Sequence, residues 1–88
     1  MDFTGKKVVI TGGSRGIGKK IAEGFKNKGA QIAVIDKVDN NLEYELFYKG
    51  DVSEENVLIS FSNLVLQKFG KIDYLINNAC LSKKGLWA

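Results

Sequence analysis

The 88 residues suffice for one small domain, and 44% apolar with 26% charged side chains is ordinary globular composition, with no apolar run long enough to span a membrane. Histidine and proline are absent and Cys80 is the single cysteine, which excludes internal disulfides, zinc clusters and histidine-dependent catalysis. Thirteen basic against ten acidic residues leave a net charge of +3 spread along the chain rather than gathered in a stripe, so neither nucleic acid nor a membrane is expected as a partner.

The N-terminal residues lack the basic-then-apolar architecture of a secretory signal, and a cytoplasmic location is expected. Residues 6–11, Lys-Lys-Val-Val-Ile-Thr, form a short β-branched run that suits a strand covered on both faces. From Gly16 the apolar positions change to helical spacing, with Ile17, Ile21 and Phe25 stepping by four until Gly29 supplies a left-handed stop. A second buried strand covers residues 31–35 and is closed by Asp36 and Lys37, completing a strand–helix–strand unit that crosses over right-handed.

Residues 38–43 read as a turn, or at most one helical turn, before a third strand over residues 44–48. Ser53 is placed to cap a helix running to about Lys68, with Glu54 and Glu55 favouring the positive end of its dipole. Val57, Phe61, Leu64 and Val65 form its expected buried face, and Ile59 and Leu66 widen the apolar side. Gly70 ends this helix; residues 72–76 form a fourth strand running into Asn77, Asn78, Ala79 and Cys80, and the tail from Leu81 has no clear period.

The junction of first strand and first helix carries the chemistry. Free N–H groups at a helix start, together with the helix dipole, attract a pyrophosphate, and glycines let phosphates approach the backbone. In Thr11-Gly12-Gly13-Ser14-Arg15-Gly16-Ile17-Gly18, Gly12 permits a tight turn, Gly16 a close cofactor approach, and Gly18 close packing of helix on strand. The same stretch satisfies the Gly, four residues, Gly-Lys pattern of a P-loop from Gly13 to Lys19, but Lys20 stands where a magnesium-holding Ser or Thr is needed. Asp36 follows eighteen residues after Gly18 at the end of the second strand, where a carboxylate accepts hydrogen bonds from adenosine ribose hydroxyls and repels a 2′-phosphate. NAD is therefore expected over NADP, with Arg15 and Lys37 as nearby cations that partly offset the repulsion. An acidic turn residue at a strand end is the plain alternative for Asp36.

These residues resemble the classical short-chain dehydrogenase/reductase family, whose first strand ends in Thr-Gly-x-x-x-Gly-x-Gly, matched by Thr11, Gly12, Gly16 and Gly18. The family's acidic-apolar pair after the third strand is matched by Asp51 and Val52, and its Asn-Asn-Ala-Gly segment by Asn77, Asn78 and Ala79, so the resemblance covers nearly the whole chain. It implies that Asp51 and Val52 border the adenine, that Asn77, Asn78 and Ala79 support the sheet and line the ribose side of the cofactor, and that Cys80 stands where the backbone passes close to the cofactor. Both pairs also read as ordinary strand-end or turn residues. Cys80 replaces the family's glycine and reads as a small packed residue, a neighbour of the nicotinamide, or an exposed thiol.

The expected fold is a partial Rossmann α/β domain over residues 1–88, a truncated NAD(P)-binding unit with a parallel sheet in the order 3-2-1-4 and a helix on each face. The function implied is the NAD-binding portion of an oxidoreductase acting on alcohol or carbonyl groups; the alternative is a catalytically inactive assembly module. The family's catalytic serine and Tyr-x-x-x-Lys pair have no match here, because Tyr48, Val52 and Asn78 stand four residues after Tyr44, Tyr48 and Tyr74. With a shortened second crossover and an unpaired fourth strand, the unit is expected to associate, with a second copy or a complementing chain, through the sheet edge and an apolar surface that includes Ile59, Leu66 and Trp87.

Overall fold

In a computed structural model, which describes residues 2–12, 16–39 and 43–78, the elements follow in the order β1 (Lys7–Thr11), α1 (Gly16–Asn27), β2 (Gln31–Asp36), β3 (Leu46–Lys49), α2 (Glu55–Phe69) and β4 (Tyr74–Asn77). All strand pairings are parallel and the sheet order is β3-β2-β1-β4, as the chain order of strands and helices predicts. The central strands β1 and β2 are buried along nearly their whole length, which is why they read as continuous apolar runs.

Alternation along the strands divides the core in two. Val8, Ile10, Ile32 and Val34 face α1 and meet Ala22, with Ile21 and Phe25 packed beside them. Val9, Ala33 and Ile35 face the other way and meet Phe61 and Val65 of α2. Phe3 closes the base of the α1 layer, edge-on to Phe25 at 4.9 Å and to Tyr74 at 5.6 Å between ring centroids. The stops are as expected: Gly29 and Gly70 both have positive φ, and the Gly70 N–H returns to the Leu66 carbonyl.

Four local expectations are corrected. Ser53 does not cap α2: Glu54 occupies the cap position without a side-chain hydrogen bond, and Asp51 organises the turn by accepting the Ser53 N–H at 2.9 Å on its carboxylate and the Glu54 N–H at 3.0 Å on its carbonyl. The third strand begins at Leu46, not Tyr44. Its ladder with β2 starts at Ala33, and the Glu45 carboxylate takes the N–H of the preceding Ile32 at 2.7 Å, so residue 45 serves as a side-chain partner rather than a strand residue. Tyr44 instead stacks on Phe47, and the pair leans on the α1-side core where the crossover is short.

Ile17 and Leu64 are the other two corrections. Ile17 lies in the first turn of α1, beyond the end of the sheet, and is 70% exposed. Leu64 lies at the margin of the α2 contact and is 38% exposed, whereas Phe61 and Val65 are buried.

β4 is an edge of the sheet and is half-covered: Tyr74 joins the aromatic cluster, while Leu75 on the other face is 61% exposed. Between α2 and β4 lies an apolar groove of 370 Å³ lined by Val9, Leu58, Phe61, Val65, Ile72 and Leu75. Among the described residues no helix is long and apolar enough to cross a membrane.

Candidate cofactor site

The site is assembled at the carboxyl ends of the strands, where α1 begins and the chain leaves β2, β3 and β4. Thr11 ends β1 and its hydroxyl donates to the Asn77 side-chain oxygen at the end of β4, 2.9 Å away. Gly12 then turns with φ 74, a conformation open to glycine and costly for most other residues. Its N–H donates to the Ile35 carbonyl at 2.8 Å, and its own carbonyl accepts the Asn78 side-chain amide at 2.9 Å. The first glycine turn is thereby held from both neighbouring strands.

Gly18 faces this turn. A Cβ there would stand 2.0 Å from the Gly12 carbonyl oxygen and 2.6 Å from the Asn78 amide nitrogen, so no side chain fits without moving backbone. Gly16 contrasts with it: φ is 55, the residue is exposed, and no atom lies within 4 Å of where a Cβ would stand. Gly16 and Ile17, the first residues of α1, are therefore open to solvent, and no acidic residue occupies that first turn to oppose an anion.

Asp36 ends β2 and is 7% exposed. One carboxylate oxygen accepts the Lys37 N–H at 2.6 Å, and its carbonyl accepts the Gly50 N–H at 2.9 Å, which ties the end of β2 to the chain leaving β3. Across that gap the Lys37 ammonium lies 3.8 Å from the second Asp51 oxygen. Val52 packs against the α2-side core and also lines the groove beside β4.

Of the residues singled out in the sequence, the structure brings Gly12, Gly18 and Asn78 into one contact group and places Asp36, Lys37, Asp51 and Val52 in a second along the same edge. Gly16 and Ile17 lie between helix start and solvent. Ser14, Arg15, Ala79 and Cys80 lie outside the described residues, as does Trp87. Sequence reasoning missed the Thr11–Asn77 hydrogen bond and the tie from Asn78 to Gly12. Their signal was the adjacent Asn77 and Asn78, whose alternating side chains serve different neighbours: one the strand beside it, the other the glycine turn. Among the described residues no cluster of acidic or sulfur side chains could hold a metal ion.

The sequence family described as short chain dehydrogenase matches residues 6–87. The chain belongs to the short-chain dehydrogenase family. Mouse L-fucose dehydrogenase is 39% identical over 84 residues, a match that covers 88% of this chain and 31% of that enzyme. The L-rhamnose 1-dehydrogenase (NADP(+)) of Thermoplasma acidophilum is 38% identical over 91 residues, covering 90% of this chain and 36% of its own. Among solved structures, the ligand-free aldohexose dehydrogenase of Thermoplasma acidophilum superposes with a TM-score of 0.80 at 28% identity, over 86% of this chain and 30% of that one. The chain thus spans about a third of the length of the short-chain dehydrogenases it matches. Within this family, what these residues make up is the dinucleotide-binding portion of the fold.

Proposed function

We propose that this short-chain dehydrogenase portion binds NAD(H), with the pyrophosphate over the start of α1 and the adenosine ribose at Asp36. The observation that carries the reading is the buried Asp36 carboxylate at the end of β2, on the same edge of the sheet as the Gly12 turn and the exposed Gly16 that begins α1. A carboxylate there accepts hydrogen bonds from the ribose hydroxyls and repels a 2′-phosphate. Gly12, Ser14, Arg15, Gly16, Ile17 and Gly18 would form the phosphate loop. Lys37, Asp51 and Val52 would border the adenosine, and Asn78, Ala79 and Cys80 the nicotinamide ribose. The similar L-rhamnose 1-dehydrogenase is NADP-dependent by name, whereas the Asp36 charge favours NAD in this chain.

Bound NAD would accept or donate a hydride, and the reaction class is alcohol–carbonyl interconversion. This chain's residues would hold and orient the cofactor. None of its tyrosines has a lysine four residues on to assist proton transfer, so these 88 residues are assigned binding and no turnover. Titration calorimetry and thermal melting test the reading. NAD(H) at a hundredfold excess over its Kd should stabilise the fold by about 2.7 kcal/mol through linkage, and Asp36→Ala should lose more of that shift than Lys37→Ala. No heat and no shift at millimolar NAD(H) would refute it.

The apolar groove and open β4 edge also favour association with a second chain, a copy of this one or a complementing one. Leu75 of the edge strand is exposed beside that groove, and Leu66 and Ile59 are exposed on α2, apolar surface of the kind that pairing covers.

A further inference from the structure

The contact between Lys37 and Asp51 bears on which dinucleotide is accepted, an inference that rests on the cofactor reading above. Lys37 directly follows Asp36, and its backbone N–H is already committed to the Asp36 carboxylate at 2.6 Å. Its ammonium, however, extends across the ends of β2 and β3 to within 3.8 Å of Asp51. Asp51 is itself fixed: one oxygen accepts the Ser53 N–H at 2.9 Å, and the residue's carbonyl starts the turn into α2. A carboxylate held on the loop after β3 therefore draws the cation that follows the ribose-binding position toward the far side of the adenosine edge.

We propose that Asp51 is a positioning residue for cofactor choice: by holding the Lys37 ammonium, it withholds from the ribose a cation that a 2′-phosphate would otherwise recruit. Rejection of NADP(H) then has two parts, the Asp36 charge that repels the phosphate and the Asp51 charge that occupies the neighbouring lysine. Lys49, which stands opposite Asp36 in the β2–β3 ladder, is the same in every variant below and forms a constant background.

The test is the ratio of NADP(H) to NAD(H) affinity, measured by titration calorimetry for the native chain, Asp51→Asn, Lys37→Gln and the double variant. Asparagine keeps an oxygen for the Ser53 N–H while removing the charge, and any adenine contact of residue 51 is shared by both cofactors and cancels in the ratio. Because both side chains are partly exposed, the pair is worth little in itself, and Asp51→Asn should move the ratio toward NADP(H) by about two- to fivefold. In the Lys37→Gln background the same substitution should leave the ratio unchanged. An unchanged ratio in Asp51→Asn overturns the inference. So does an equal shift in both backgrounds, since that would be a bare charge effect without the lysine. Absence of binding by either cofactor would overturn the site reading and this inference together, whereas binding with additive substitutions overturns this inference alone.

Discussion

At the scale of single residues, two glycines of one helix separate a packing constraint from a conformational one. A Cβ at Gly18 would meet the Gly12 carbonyl oxygen at 2.0 Å, a fixed backbone atom, whereas nothing lies within 4 Å of a Cβ at Gly24. Gly18→Ala is expected to cost about 3 kcal/mol, the upper part of the range for overpacking, and Gly24→Ala to add about 0.5–1 kcal/mol through helix propensity. Urea unfolding of the two variants checks both signs. Gly18 was legible in the sequence, because the glycine spacing between a strand and a helix implied close packing there. Its second neighbour was not, since no local pattern tells that Asn78, sixty residues on in the chain, delivers its amide to the same carbonyl. The turn into α2 was likewise illegible: Ser53 and Asp51 are both plausible N-terminal residues, and it is Asp51 that organises the turn, its carboxylate taking the Ser53 N–H and its carbonyl the Glu54 N–H.

Among elements, the helical period told which faces of α1 and α2 are apolar but not how much of each face finds a partner. Phe61 and Ile59 are both apolar residues of α2, yet Phe61 sits against Val9 and Ile35 while Ile59 is 54% exposed. Phe61→Ala should cost about 3 kcal/mol or more and Ile59→Ala no more than about 0.5 kcal/mol in the isolated chain, measured by denaturant midpoints at unchanged slope. The strand pair β1 and β4 adds a pH dependence. Lys7 and Asp73 exchange two hydrogen bonds at 2.8 Å, the Lys7 N–H to the Asp73 carboxylate and the Asp73 N–H to the Lys7 carbonyl. The bond from the Lys7 N–H, with smaller help from the Lys71 and Lys6 charges, holds the Asp73 carboxyl below its usual range. Because the folded pKa is depressed, this stabilisation is present above the unfolded value of about 3.9 and is lost as pH falls through the folded one. Asp2 is shifted the same way by the Thr4 hydroxyl and N–H. Melting temperatures between about pH 5 and pH 2 should therefore fall less steeply in Asp73→Asn than in the native chain, with a residual slope from Asp2.

For the molecule as a whole, the order β3-β2-β1-β4 puts β4 at an edge of the sheet, beside the apolar groove between it and α2. Sedimentation velocity across a range of concentrations should show association, and Leu75→Lys, which puts a charge on the open face of the edge strand, should shift the equilibrium toward monomer. A stable monomer at every concentration would oppose the association reading. The sheet order was legible because a parallel crossover has one hand and the first strand's glycine turn must sit at its centre. What covers β4 was not legible, since apolar residues at Ile72 and Leu75 read the same whether a helix, a loop or another chain lies over them.

The tie between Asn78 and Gly12 spans 66 residues, so the shape of the glycine turn is not a local property of the loop. β1 and β2 can form their ladder through the short crossover of α1, but the turn that follows β1 is held from β4, a strand that among the described residues pairs with β1 alone. Transient opening of that outer strand would release the Gly12 carbonyl at the centre of the sheet. In amide hydrogen exchange, the backbone protons of Leu75 and Ile76 and the N–H of Gly12 should then exchange as one cooperative unit. A nucleotide seated on the loop should slow all three together, protecting an edge strand through its grip on the middle one.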